Sequence, residues 1–365
     1  MLTELLDEAT RQLTICNACR FCEGYCAVYP ALEIRRELGR GDILYLANLC
    51  HDCRACYYAC MYTAPHEFAV NIPLVLSSVR EETYAGYGWP QLMARLWNRG
   101  ALRIVIASVL AALLVAGSIA LLAPAHRLFG SVGGPESFYK LVPYLVLVTG
   151  FLGLGVYALA AVVAGGVKFC RDTRGSLRDM LSWHALRGAG ADTLQLRYLR
   201  GGGDGCYYPA DSPSMVRRSM HSLVFYGFLI DFAATVSAAI AQDLLGIPPP
   251  YPLLSIPVVL GVVGGVMMVV GTTALIRVKQ RSDVRPSSVT MVTKDYGFLA
   301  CLNLVAITGF LLLALRASPL LGAALSIHLG SLVVLFLTMP YGKFVHFAYR
   351  YLALVQNRIE SVRSE

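Results

Sequence analysis

Eight of the eleven cysteines fall between residues 16 and 60, in two sets of one spacing: Cys16-x2-Cys19-x2-Cys22-x3-Cys26 and Cys50-x2-Cys53-x2-Cys56-x3-Cys60. Thiols at such short intervals serve either disulfides or soft metal centres. A disulfide framework needs an oxidising compartment. The opening Met1–Leu13 is acidic and amphipathic and has no apolar h-region, so it does not read as a signal peptide. Zinc sites pair two short CxxC units and do not use a third close cysteine plus a fourth. Iron–sulfur ligation is the chemistry that uses all eight.

Three closely spaced thiolates can close around one cube while the fourth, on a diverging segment, reaches elsewhere. In two-cluster ferredoxins the fourth cysteine ligates the other cluster. The spacing therefore predicts one [4Fe–4S] cluster on Cys16, Cys19, Cys22 and Cys60, and a second on Cys50, Cys53, Cys56 and Cys26. The proline that usually follows the fourth cysteine is delayed to Pro30 and Pro65, so the exit turns differ from that pattern. Phe21, Tyr25, Tyr29, Tyr57 and Tyr58 would give an aromatic shell around the sulfurs or ordinary core packing. His51 and His66 flank the second motif. Cys170, Cys206 and Cys301 have no such spacing and read as structural.

A second set of candidates lies in apolar sequence, where an ionisable side chain is a functional candidate by default. His221 and His346 each stand about one turn inside an arginine, Arg218 and Arg350, which puts them at one depth. They are the expected axial ligands of a haem b, with the two arginines facing its propionates. His328 precedes His346 by 18 residues, about 27 Å along a helix. It is a candidate for a second haem, with His126 as a weak partner, or for a hydrogen bond across the bundle. His184, in a polar loop, could substitute for either ligand. Asp231, ten residues beyond His221, would serve a quinone or its protons, or stay neutral and hydrogen-bonded.

These residues need elements to hold them, and the composition says which. Hydrophobic residues make up 56% of the 365, charged residues 15%, and mean hydropathy is +0.57, values of a membrane protein. Residues 1–100 are the polar exception and are expected to form a helical, ferredoxin-like two-cluster domain. Six apolar stretches follow within 101–365, near 103–123, 141–166, 221–242, 252–276, 296–316 and 321–346, the fourth and sixth interrupted by Pro257 and Pro340. The expected fold is all-α, with a six-helix transmembrane bundle behind the cysteine domain. Lysine and arginine crowd the segments 167–220 and 277–294, whereas 243–251 has neither. That asymmetry puts the basic loops, both termini and the cysteines on the cytoplasmic side of the cell membrane. The net charge of +8 is explained by those loops and does not call for nucleic acid. The turn Gly201–Cys206 matches no phosphate-binding fingerprint and is expected to cover the cytoplasmic end of the bundle.

The stretches Cys16–Pro30 (CNACRFCEGYCAVYP), Leu46–Pro73 (LANLCHDCRACYYACMYTAPHEFAVNIP), Gly201–Pro209 and Leu337–His346 (LTMPYGKFVH) resemble the tricarballylate utilization protein B family, also called the CitB type. The resemblance implies a membrane partner of a separate, cytoplasmic FAD-dependent dehydrogenase that oxidises tricarballylate to cis-aconitate. It further implies electron transfer from reduced flavin through clusters and haem to the quinone pool. A related arrangement is fused to a flavoprotein in an aerobic precorrin-3B synthase, so a corrin-oxidising partner is the alternative. No G-x-G-x-x-G lies between a strand and a helix, so no flavin-binding half is expected here and no dehydrogenase activity by this chain alone. A membrane redox sensor would want an output domain, and only about twenty residues follow His346. A transporter would want paired broken helices and several midplane charges, and Asp231 is the evident one.

Overall fold

The computed structural model describes residues 2–97, 101–122, 130, 134, 136–173 and 178–364. His126 lies outside the described residues, as do Arg127 and Arg174 of the loops counted for orientation. Among the described residues the fold is all-α, apart from a two-residue antiparallel pairing of β1 (Cys206–Tyr207) with β2 (Pro213–Ser214).

The polar head begins with α1 (Leu2–Cys19), whose Ala9 and Leu13, four residues apart, are fully buried. It ends at the first cysteines, because Arg20 takes a left-handed conformation (φ 56°) that stops the helix. After α2 (Val28–Glu33), α3 (Arg40–Leu49) starts where the Asp42 carboxylate accepts the Gly39 N–H at 3.0 Å, one half of a capping arrangement. It stops at Cys50. Asp52 and Arg54 are then left-handed (φ 53° and 65°) before the short α4 (Ala55–Tyr58). The arginine that follows the second cysteine is thus left-handed in both motifs. Next, α5 (Ile72–Tyr87) is capped by Asn71, whose side-chain oxygen accepts from the Leu74 N–H at 3.2 Å, with Pro73 in its first turn.

Behind the head, after α6 (Gln91–Trp97), come α7 (Ala101–Leu122), α8 (Tyr144–Asp172), α9 (Trp183–Leu194), α10 (Val216–Ala239, extended by the π-helical Ile240–Leu244), α11 (Ile256–Gln280), α12 (Val289–Leu315) and α13 (Leu321–Thr338). Five of these, α8 and α10 to α13, are long and apolar enough to cross a membrane on their described residues. The predicted span 103–123 coincides with α7, part of whose side chains lie outside the described residues.

Two expectations about the spans are corrected. Pro257 does not interrupt the fourth helix but sits in the first turn of α11, where a missing N–H costs nothing. The stretch 321–346 is not one helix. It ends at Thr338, turns through Pro340 and the 3-10 turn Lys343–Val345, and restarts as α14 (His346–Ser364). Proline cannot supply the N–H that would carry α13 onward. Helix α14 runs back over the head: Tyr349, Ala353, Leu354 and Val355 are buried in one core with Leu13, Tyr45, Leu46 and Leu76. The end of α8, at Phe169 and Cys170, joins that core, so head and bundle share packed side chains there.

Candidate functional site

The eight cysteines line two adjoining cavities. The first, of about 490 Å³, is bounded by Cys16, Cys19, Cys22 and Cys60 with apolar and aromatic neighbours, among them Phe21 and Met61. The second, of about 290 Å³, is bounded by Cys26, Cys50, Cys53 and Cys56 with His51, Asp52 and Arg54. Cys56 and Tyr29 line both. Cys60 thus borders the cavity of Cys16, Cys19 and Cys22, and Cys26 that of Cys50, Cys53 and Cys56. In each motif the left-handed arginine, Arg20 or Arg54, falls between the second and third cysteines, and a backbone-bonded turn precedes the fourth (Tyr25 N–H to the Cys22 carbonyl, Cys60 N–H to the Tyr57 carbonyl).

The chemistry of these sulfurs depends on what they hold. Burial pushes the Cys16 thiol up to about 12, with Cys22, Cys60 and Cys19 adding to the effect. Burial likewise takes Cys22 up to about 11 and Cys53 to about 12. Left empty, such a pocket keeps its thiols protonated; a polynuclear metal group deprotonates them outright. The donor set suits two cubane clusters, four thiols to each in an apolar, aromatic wall.

The two cavities differ in exposure. Around the first, Phe21 is 58% and Met61 65% exposed, and Cys19 is open to solvent. The second is covered by the bundle. Arg217, in the first turn of α10, donates to the carbonyls of Asp52 (2.7 Å) and His51 (3.0 Å). The Tyr208 hydroxyl donates to the Asp52 carboxylate at 2.8 Å, and both Arg54 and Arg217 lie over the Tyr208 ring. The β1–β2 hairpin closes the same side, with the Tyr207 N–H on the Cys53 carbonyl at 2.9 Å. Burial alone would raise Asp52, but Arg54, Arg217 and Arg80 outweigh it and hold the carboxyl below its usual range.

Asp52 also borders a third cavity, of about 720 Å³, between head and bundle. His221 and His346 face each other across it, ring centroids 6.3 Å apart and planes at 89°. His346 donates from Nδ1 to the Lys343 carbonyl at 2.6 Å, which leaves its Nε2 with the lone pair. The buried Nδ1 of His221 has no protein partner. Five cations line the walls, Arg80, Arg217, Lys279, Lys343 and Arg350, against the carboxylates Asp52 and Asp295. Asp295 takes Lys279 at 2.5 Å and Lys343 at 2.6 Å. Burial lowers Lys343 to about 8, with Asp295 opposing. Two facing imidazoles, one with an orphaned nitrogen, in a basic pocket are a donor set that fits haem b with its propionates.

The remaining sequence candidates are placed elsewhere. Arg350 lines this cavity but Arg218 does not; it reaches the Gln195 carbonyl at 2.9 Å, and its neighbour Arg217 faces inward instead. His328 stands apart from the pair, its Nδ1 3.0 Å from the Thr308 hydroxyl of α12. His184 is exposed on α9. Asp231 packs its carboxyl against Gly264 of α11. His51 donates from its ring to the Leu49 carbonyl at 2.8 Å, and His66 accepts the Phe68 N–H at 3.1 Å. Sequence reasoning missed Arg80, Arg217, Lys343 and Asp295. The available signal was charge inside apolar helices or at their ends.

Comparison with known proteins adds three findings. Residues 9–86 match the family model described as the citrate utilization protein B Fer4-like domain, and residues 95–365 the model described as citrate utilization protein B. The chain is 38% identical over 369 residues to an Escherichia coli protein named "Citrate utilization protein B", covering 100% of this chain and 95% of that one. No solved structure matches the chain.

Proposed function

The chain belongs to the citrate utilization protein B family, and from that premise we propose that it is a membrane electron-transfer subunit. It reoxidises a partner flavoprotein dehydrogenase acting on a tricarboxylate of the citrate or tricarballylate kind, and delivers the electrons to quinone. The observation that carries this reading is a row of three contiguous cavities: the two cysteine sets share Cys56 and Tyr29, and the second shares Asp52 with the histidine cavity. Contiguity keeps successive one-electron steps short.

Cys16, Cys19, Cys22 and Cys60 would hold one [4Fe–4S] cluster, Cys50, Cys53, Cys56 and Cys26 the other, and His221 and His346 a haem b. Bound there, these groups supply reversible one-electron sites. The protein supplies the rest. Tyr29, Val70 and Ile72 keep water from the sulfurs. The Cys60 sulfur accepts the Tyr62 N–H at 3.3 Å. Arg217, Arg350 and Lys343 offer charge to propionates. Asp231, partly buried in the bundle about 15 Å along α10 from His221, is the carboxyl placed to hand a proton to a quinone. The basic loops support a head on the cytoplasmic side, where a flavoprotein would reach it.

Anaerobically purified chain should contain about eight non-haem iron and about eight acid-labile sulfide per polypeptide, together with a b-type absorbance. It should reduce quinone with a tricarboxylate only when the flavoprotein is added. Bound zinc, or substrate-dependent quinone reduction by the chain alone, would contradict the reading.

A further inference from the structure

The two cysteine sets are matched in spacing and unmatched in charge. The first cavity has no charged residue among the described residues that line it. Arg20, which follows Cys19, is exposed and donates to the Asn17 carbonyl at 3.2 Å. The equivalent arginine of the second motif, Arg54, is 3% exposed and lines the cavity, donating to the Asp283 carbonyl at 2.9 Å and to the Ser287 hydroxyl. Two more guanidiniums hold the same loop by its carbonyls. Arg80, 1% exposed, donates to Ala47 and Cys50, and its Nε has no protein partner. Arg217 holds His51 and Asp52. Asp52 is the one carboxylate among the described residues that line this cavity.

We propose that Arg54, Arg80 and Arg217 make the second cysteine set the electron sink of the pair, so that electrons run from Cys16, Cys19, Cys22 and Cys60 towards the histidine cavity. The inference rests on the proposed function and adds the order of the two cluster potentials. A fixed cation stabilises the reduced, more negative form of a cluster and so raises its potential. Water at Cys19 also stabilises added charge on the first set, but it screens. At an effective dielectric near 20 a charge counts about four times what it does in water, so the three enclosed cations Arg54, Arg80 and Arg217 against the carboxylates Asp52 and Asp295 outweigh that exposure. The step is a one-electron exchange: the first set's group is oxidised as the second's is reduced, and no bond or proton changes hands. The order also matches exposure, because the open first set faces the donor, whereas Arg80 and Arg217 line both the second set's loop and the histidine cavity.

The test is an EPR-monitored redox titration of the full chain, purified anaerobically. Wild type should show two resolved cluster midpoints. In Arg217→Gln the higher should fall towards the lower while the lower stays; Arg217→Lys, which keeps the charge, should restore most of the gap. Arg80→Gln should move the same midpoint in the same direction, and serves if Arg217→Gln does not assemble. A shift of the lower midpoint, an equal shift of both, or no shift in either Gln variant would overturn the assignment while leaving the relay intact. A wild-type protein without two cluster signals would overturn the proposed function itself, and the assignment with it.

Discussion

His346 spends its two ring nitrogens differently, and that division is what makes it testable. Its Nδ1–H is taken by the Lys343 carbonyl, and Lys343 is itself anchored to Asp295 at 2.6 Å. The ring is therefore held in one tautomer and one orientation, as a carbonyl on the far nitrogen does for a metal-binding imidazole. The buried Nδ1 of His221 opposite has no protein partner, so that ring is not fixed by a carbonyl as His346 is. His221→Leu or His346→Leu should abolish the b-type absorbance and leave the cluster EPR signals, because the two sites share no ligand. His328→Leu should keep that absorbance, since its partner is Thr308, and His184→Leu should keep it because His184 points to solvent on α9. Full absorbance in His346→Leu with loss in His184→Leu would reverse the pairing.

Helices α10 and α11 meet through glycine, and this contact sets the depth and rotation of His221. A Cβ on Gly271 would stand 2.8 Å from a Val224 methyl carbon and 2.9 Å from the Met220 carbonyl; one on Gly264 would meet the Asp231 carboxyl. Small residues at such crossings let membrane helices approach backbone to backbone. Gly271→Ala should force α10 outward next to His221 and lower the b-type content measured per chain by absorbance. Gly261→Ala, whose nearest contact would be Ala234 at 3.9 Å, should not change it. Equal loss in both would show that the crossing does not position the histidine. The cysteine motifs and the apolar stretches were legible because spacing and hydropathy are local properties. Arg217 was not distinguishable from Arg218, because neighbours on a helix differ by about 100° of rotation and only packing against α11 and the head fixes which one turns inward. Pro340 announced a break in the last apolar stretch, but not that the chain beyond it leaves the bundle.

That departure ties the whole molecule together. The sequence divides naturally into a cysteine-rich beginning and an apolar remainder, yet the head is built from both ends of the chain. Helix α14 contributes Tyr349, Ala353, Leu354 and Val355, each no more than 3% exposed, to the core that also holds Tyr45 and Leu46 of α3. Arg35 pairs with Glu360 at 2.7 Å and with Asp42 at 2.9 Å, which fastens α14 to the start of α3. Arg358 pairs with Asp192 of α9 at 2.6 Å. Burying side chains such as Leu354 and Val355 contributes about 1.5–3 kcal/mol each, and a domain's net stability is only about 5–15 kcal/mol. Deleting residues 347–365 removes no cysteine and no histidine proposed as a ligand. It should nonetheless leave the head unable to assemble both clusters, because α3 leads directly into Cys50 and loses the surface it packs against. Iron and sulfide content of the truncated chain, purified anaerobically beside the intact one, gives the measurement. A truncated chain with full iron and sulfide would mean that the head folds without α14, and that α14 is a passenger on it.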